Sequence, residues 1–227
     1  MSYEVKQQFI RMNHGGVFSG PKGIVLHETA NPGGTAQNHY VYFNSADRQA
    51  SAHAFVDWTE IVQLVPWNER AWHAGRTANG SYIGVELCRP ASHDQAKFQE
   101  VWNRGTWLFA WLFVNVLKIN KVTKDNLMSH AEVSMKWHET DHMDPVSYFS
   151  EYGKTVDDFR NDVQKLIDAA TKPTEKPITV IVDGKPLVMD TQPRGIDGRI
   201  FVPVRFIAEA LGKTVEWNND TKTVTIK

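Results

Sequence analysis

All nine histidines of this 227-residue chain fall between His14 and His142. They and a few acids are where chemistry is legible. His27 closes the run Ile24-Val25-Leu26-His27, whose three apolar residues predict a buried strand. An imidazole at a strand end is held by rigid backbone and can face a cleft, which suits a metal ligand. A catalytic zinc takes three protein ligands of His and carboxylate type and keeps a fourth position for water. The candidates to join His27 are His130, in Met128-Ser129-His130-Ala131, and Asp144, in Asp141-His142-Met143-Asp144-Pro145, where Pro145 stiffens the chain. Asp141 and His142 compete for the third place. Spacing alone leaves open a plainer alternative, a set of structural histidines bonded to backbone. Glu86 is embedded in the apolar run Tyr82–Leu87 and needs compensation there. A metal-bound water would supply it, as would an ion pair with Arg89 or Arg76.

The elements that must hold these groups follow from periodicity and punctuation. Residues 1–23 are expected to be irregular, with a turn at His14-Gly15-Gly16. Thr35–Arg48 contains no proline or glycine and fits a helix started by Gly34-Thr35. Ala52–Asp57 and Glu60–Val65 flank Trp58-Thr59 as a hairpin. Residues 67–79 are expected to be a loop, and Tyr82–Leu87 a second apolar strand. Gln95–Leu117 carries Phe98, Val101, Trp102, Leu108 and Leu112 at helical spacing, predicting a long core helix. The Trp102–Trp111 stripe belongs to that core. Leu127–Asp144 is expected to be mostly irregular. Val156, Phe159, Val163, Leu166 and Ile167 mark an amphipathic helix over 156–169. The fold class expected is α/β, a mixed central β-sheet flanked by helices.

Residues 171–177, Thr-Lys-Pro-Thr-Glu-Lys-Pro, form an extended linker. It separates a catalytic domain over 1–170 from a small α+β domain over 178–227. In the latter, Ile178–Val182 and Leu187–Met189 flank an Asp183-Gly184 turn. Ile200–Val202 is a short strand, and Val204–Leu211 a helix capped by Gly212. Thr214–Trp217 and Thr223–Lys227 are strands.

Composition narrows the partners. A net charge of −1 gives no reason to expect nucleic acid or a membrane surface. Trp107–Leu117, the longest apolar patch, is too short to span a bilayer. The single cysteine, Cys88, excludes an intramolecular disulfide and a four-cysteine zinc site. The first residues lack the apolar core of a secretory signal, so synthesis in the cytoplasm is expected. A monomer is assumed.

Gly23-Ile24-Val25-Leu26-His27-Glu28-Thr29, Ser51-Ala52-His53, Trp72-His73-Ala74-Gly75, Ile83-Gly84-Val85-Glu86-Leu87 and Thr140-Asp141-His142-Met143-Asp144-Pro145 occur in one order. In that order they resemble the type-2 N-acetylmuramoyl-L-alanine amidases. These are zinc enzymes related to peptidoglycan recognition proteins and common among phage endolysins and bacterial autolysins. The resemblance spans roughly residues 20–168. It implies that His27, His130 and Asp144 hold one zinc ion and that Glu86 is the general base and acid. It also implies an oxyanion-stabilising group near the last ligand, which here is His142 or Lys136, with His142 preferred. His53 and His73 are expected to line the substrate groove or hold its walls, and Trp67 and Trp72 to contact glycan or peptide. His39, His93 and His138 are assigned to the surface or to supporting contacts.

Zinc lowers the pKa of a bound water toward about 7, which makes hydroxide available at neutral pH. The bond cut would join the lactyl group of N-acetylmuramic acid to L-alanine. The resemblance thus implies a peptidoglycan hydrolase, expected to be a phage or prophage lysin released through a holin. Two rivals remain: a recognition module without catalysis, and a zinc peptidase acting within the stem peptide. The run Asp197–Gly212, with Thr214–Trp217 and Thr223–Ile226, resembles the small domain named for the N-terminal region of copper amine oxidases. No ligand cluster for copper accompanies it. Its expected role is targeting to the cell wall, the alternative being a stabilising appendage.

Overall fold

A computed structural model of the chain sets the apolar runs that carry His27 and Glu86 side by side as parallel strands. The structure describes residues 2–18, 20–172 and 177–227. It divides into two units, Met1–Lys172 and Pro173–Lys227. The first contains, in order, β1 (Val5–Gln7), β2 (His14–Val17), β3 (Gly23–Glu28), α1 (Ala36–Ser45), β4 (Ala54–Val56) and β5 (Ile61–Gln63). There follow β6 (Glu69–Ala71), α2 (Gly75–Asn79), β7 (Tyr82–Leu87), and α3 (Gln95–Leu112), which runs into a π-helical turn at Phe113–Leu117. The unit ends with β8 (Leu127–Ser129), α4 (His130–Trp137), α5 (Val146–Glu151) and α6 (Val156–Thr171).

The central sheet has six strands in the order β1-β5-β4-β7-β3-β8. Only β4 and β5 pair antiparallel; the other neighbours are parallel, so the sheet is mixed. Every residue of β3 is buried, as a strand covered on both faces requires. Alternation then sorts its side chains. Ile24, Leu26, Ile83, Val85 and Leu87 pack in one cluster with Phe98 and Trp102 of α3 and with Phe159 and Val163 of α6. Gly105 lets α3 come this close, since a Cβ there would lie 2.9 Å from Leu87 Cδ2. Val25 packs on the opposite face with Ala74, Ala78, Met128 and Val133. His27 and Glu86, partners in register, share that second face.

Three helices start on reciprocal caps: Thr35 with Asn38, Ser129 with Glu132, and Thr155 with Asp158. The expected helices, the hairpin and both apolar strands are present. Four stretches of the first unit differ from expectation. Residues 1–23 contain β1 and β2, and 67–79 contain β6 and α2. These pieces are too short to show a period, and their pairing partners supply what propensity does not. Residues 127–144 hold β8 and α4 rather than an irregular chain. The signal was there, because Ser129-x-x-Glu132 is a capping box. Finally, α3 gives way to the π-helical turn before Leu117.

Residues 173–176 of the expected linker lie outside the described residues. The second unit contains β9 (Ile181–Val182), β10 (Lys185–Pro186), β11 (Arg194–Ile196), β12 (Arg199–Phe201), α7 (Val204–Ala210), β13 (Val215–Asn218) and β14 (Thr223–Ile226). Its strands pair as three antiparallel ladders. Asp183-Gly184 and Asp197-Gly198 both have positive φ at each residue, the turn that suits a two-residue hairpin. The strand after the first turn is Lys185–Pro186 rather than the expected Leu187–Met189, and the unexpected strand β11 enters through the second turn.

Arg160 of α6 ties this frame together and is only 7% exposed. Its Nε donates to the Leu127 carbonyl at 2.9 Å, and its Nη2 pairs with Glu132. It thereby fixes the start of β8 and the first turn of α4, on either side of the junction that carries His130. Arg160→Met should lower unfolding free energy by about 2–4 kcal/mol, because it strands a partly buried carboxylate and a buried carbonyl. Urea denaturation measures this, and a loss below about 0.5 kcal/mol would mean the clamp is idle.

Candidate metal centre

Three elements deliver the candidate ligands. His27 comes from the end of β3, His130 from the first turn of α4, and Asp144 from the segment before α5. The Ala131 N–H donates to the Asp144 carbonyl at 3.1 Å, and Ser134 Oγ donates to the His142 carbonyl at 2.8 Å. The segment bearing Asp144 is thereby laced to α4. The Glu28 N–H donates to Asp144 Oδ2 at 3.3 Å.

The three side chains meet. His27 Nδ1 lies 3.0 Å from His130 Nδ1 and 3.3 Å from Asp144 Oδ2. His130 Nδ1 lies 3.0 Å from Asp144 Oδ1. One donor atom from each falls within 4.8 Å of the others.

Tautomers follow from the outer contacts. The Tyr82 carbonyl only accepts, so His73 Nε2, 3.1 Å away, carries the proton. His73 Nδ1 is then an acceptor, and it faces His27 Nε2 at 3.0 Å. His27 therefore donates through Nε2 and turns a lone pair at Nδ1 toward the cluster. His130 Nε2 is similarly occupied by Thr140 Oγ1 at 3.1 Å. With the His130 Nε2 proton given to Thr140 Oγ1, two imidazole lone pairs and a carboxylate converge with no donor among them. A cation resolves that conflict, and outward hydrogen bonds of this kind orient metal-binding imidazoles.

Electrostatics agree. Burial lowers the pKa of His27 and outweighs the Asp144 carboxylate that opposes it. Burial raises Asp144, but the His130 and His27 rings beside it more than offset this and hold its carboxyl well below the usual range. Glu86, in register with His27, has a buried Oε2 with no hydrogen-bond partner among the described residues. Burial pushes its carboxyl well up, helped by the nearby Asp144 and Glu28 charges.

The remaining predicted site residues separate. The exposed His142 stands at the rim, its ring 4.8 Å from that of His130 and its Nδ1 3.8 Å from Asp144 Oδ1. It lines a cavity of about 430 Å³ with Glu28, Met143, Asp144 and Val146. Lys136 is not brought to the cluster, since its Nζ pairs with Asp125 at 2.7 Å. Its place in the last turn of α4 directs the chain away from Asp144. His53, expected to line the groove or hold its walls, is fully buried. Its Nδ1 accepts from the Gly84 N–H at 2.9 Å and its Nε2 donates to the Glu69 carbonyl at 2.9 Å, which makes it a brace. His73 is likewise a support, seated over Gly84, where a Cβ would come within 2.4 Å of its ring. Trp67 lies beyond His53, ring parallel to ring at 6.3 Å, and faces a different cavity. Trp72 is half-buried, its backbone N–H donating to Ser51 Oγ at 3.0 Å. The supporting roles of His73, Thr140 and Arg160 are long-range and had no signal in spacing.

The fold and these residues define an α/β protein with a candidate three-ligand metal site beside the end of β3. Residues 18–147 match the family described as N-acetylmuramoyl-L-alanine amidase, and the chain belongs to that family. Residues 178–227 match the copper amine oxidase N-terminal domain. The chain is 33% identical over 160 residues to Protein Ami of Listeria monocytogenes, covering 69% of this chain and 17% of that protein. It is 30% identical over 141 residues to a bifunctional autolysin of Staphylococcus aureus, covering 60% of this chain and 11% of that protein. The chain thus spans only a small part of these curated relatives. Among solved structures, a mutant endolysin from Bacillus subtilis is 28% identical with a TM-score of 0.58, covering 71% of this chain and 99% of that one. The hydrolase AmiA of Staphylococcus aureus, at 22% identity and a TM-score of 0.69, covers 75% and 86% and shows the same fold.

Burial lowers the His53 pKa to about 4, against 6.5 for an ordinary histidine. Between those values the unfolded chain binds the proton and the folded chain does not, so stability rises with pH through this window and is complete above it. Lowering the pH from 7 to 5 should therefore remove about 2 kcal/mol through His53 alone. Urea unfolding at the two pH values tests this, and His53→Gln should flatten the slope. An equal slope in both proteins contradicts it.

Proposed function

We propose that the first unit is a zinc-dependent amidase that hydrolyses peptidoglycan. The bond cut is the amide between the lactyl group of N-acetylmuramic acid and L-alanine. The observation that carries the reading is the convergence of His27, His130 and Asp144 beside an unpartnered Glu86 carboxyl. Two neutral imidazoles and a carboxylate suit zinc in a catalytic site. Zinc bound there supplies Lewis acidity, lowering the pKa of a water toward about 7 and polarising the scissile carbonyl.

The chain's own residues do the rest. Glu86 takes a proton from the attacking water and delivers it to the departing nitrogen. The carbon–nitrogen bond breaks, leaving a carboxylate on the lactyl group and a free amine on L-alanine. A raised carboxyl pKa suits a group that both takes and gives a proton near neutrality. His142 stabilises the negative oxygen of the tetrahedral state. Its place at the rim favours it over Lys136, whose amine is engaged by Asp125. His73 holds His27 in the tautomer that points its Nδ1 inward.

The relatives' names include both autolysins and endolysins, and the proposal of action at the cell wall holds for either. Release through a holin belongs to the endolysin version. The second unit is proposed to tether the enzyme to its polymeric substrate, raising its effective concentration there. Its exposed Ile200, Phe201 and Trp217 are the groups available for such contact.

Digestion of purified cell wall, followed by mass analysis, should release stem peptides that begin with L-alanine, and a chelator should stop the release. Glu86→Gln should slow it by about 10²–10⁴-fold without changing the circular dichroism spectrum. Products cut within the stem peptide would instead indicate a zinc peptidase. Binding without any release would indicate a recognition module.

A further inference from the structure

Past His53, outside the His27–His130–Asp144 cluster, lies another cavity of about 520 Å³ bordered by the edge strand β1. Its size is that of a small-ligand site. Phe9, 46% exposed, and the partly buried Trp67 supply aromatic faces. Gln7, Gln63, Asn68 and Asn115 supply four carboxamides, and among the described residues no lining side chain carries a charge.

These groups are partly preset. Trp67 is backed by the parallel His53 ring. Gln63 is buried; its Nε2 donates to the Val65 carbonyl at 3.0 Å, and its Oε1 accepts from Gln7 Nε2 at 3.3 Å, which holds Gln7 at the rim. Asn115 Nδ2 donates to the Trp111 carbonyl at 2.9 Å, so its Oδ1 is left to accept.

The chemistry selects a neutral, amphipathic, hydroxyl- and amide-bearing ligand. A pyranose ring packs its C–H face on an aromatic ring, and its hydroxyl and acetamido groups pair with carboxamides that both donate and accept. A charged peptide would seek a counter-charge, and this lining has none. We propose that this cavity is a carbohydrate site, separate from the metal centre, that holds an N-acetylated hexosamine unit of the glycan strand. The choice of polymer rests on the peptidoglycan reading above. Engaging the strand at a second point would keep the metal centre on the polymer between cuts.

The test is a titration of the full chain, labelled with ¹⁵N, with the tetramer of N-acetylglucosamine. Shifts are expected at the amides of Phe9, Asn68 and Asn115 and at the Trp67 indole. Phe9→Ala and Asn115→Asp should each weaken binding by about fivefold to tenfold. Both positions are exposed, and an unchanged circular dichroism spectrum confirms the fold. Silence at these positions, shifts confined to the surroundings of His27 and Asp144, or shifts produced by a proline-rich decapeptide but not by the sugar would each overturn the proposal. The tetramer contains no lactyl–alanine amide. Failure of the amidase reading therefore shows as missing products in the wall digest, whereas failure of this one shows as silent resonances.

Discussion

Three electron-pair acceptors are forced together at the end of β3, and most of the first unit serves to keep them there. Buried acceptors facing one another are costly unless something positive lies between them. The cost is fixed by the pairing of β3 with β7 and β8, which puts His27 beside Glu86 and brings His130 up at the next turn. His73 removes the alternative in which His27 turns a proton inward. Arg160 secures the β8–α4 junction from behind. The arrangement makes sense as a socket whose histidines place their hydrogen bonds on the outer side.

Much of this was legible in the chain, and the remainder was hidden for physical reasons. β3, β7, α3 and α6 are long or apolar enough for pattern to decide them, and the core they form was anticipated. β1, β2 and β6 are short and polar, so their existence depends on partners distant in sequence. The helix α4 has only eight residues, too few to set a clear apolar period, although its capping box is written in Ser129 and Glu132. His27, His130 and Asp144 do meet. That His53 is a brace and that Trp67 turns to another cavity could not be read, since both depend on which side of the sheet a loop returns.

The two units differ in how they are stabilised. The first buries large aromatic clusters between α3, α6 and the sheet. The second is built of three small hairpins and one helix, and its larger apolar side chains, Ile200, Phe201, Trp217 and Ile226 among them, stay about half exposed. A unit of that size has little interior to offer. Its surface is correspondingly rich in groups able to contact a partner, which fits an appendage better than a second catalytic body.

The account stands on one shared ion. Calorimetric titration of the chain with zinc, alongside His27→Ala, His130→Ala and Asp144→Ala, tests this most directly. One equivalent should bind to the native chain, and each substitution should abolish tight uptake. A native chain that takes up no zinc, or variants that bind it as the native chain does, would contradict it.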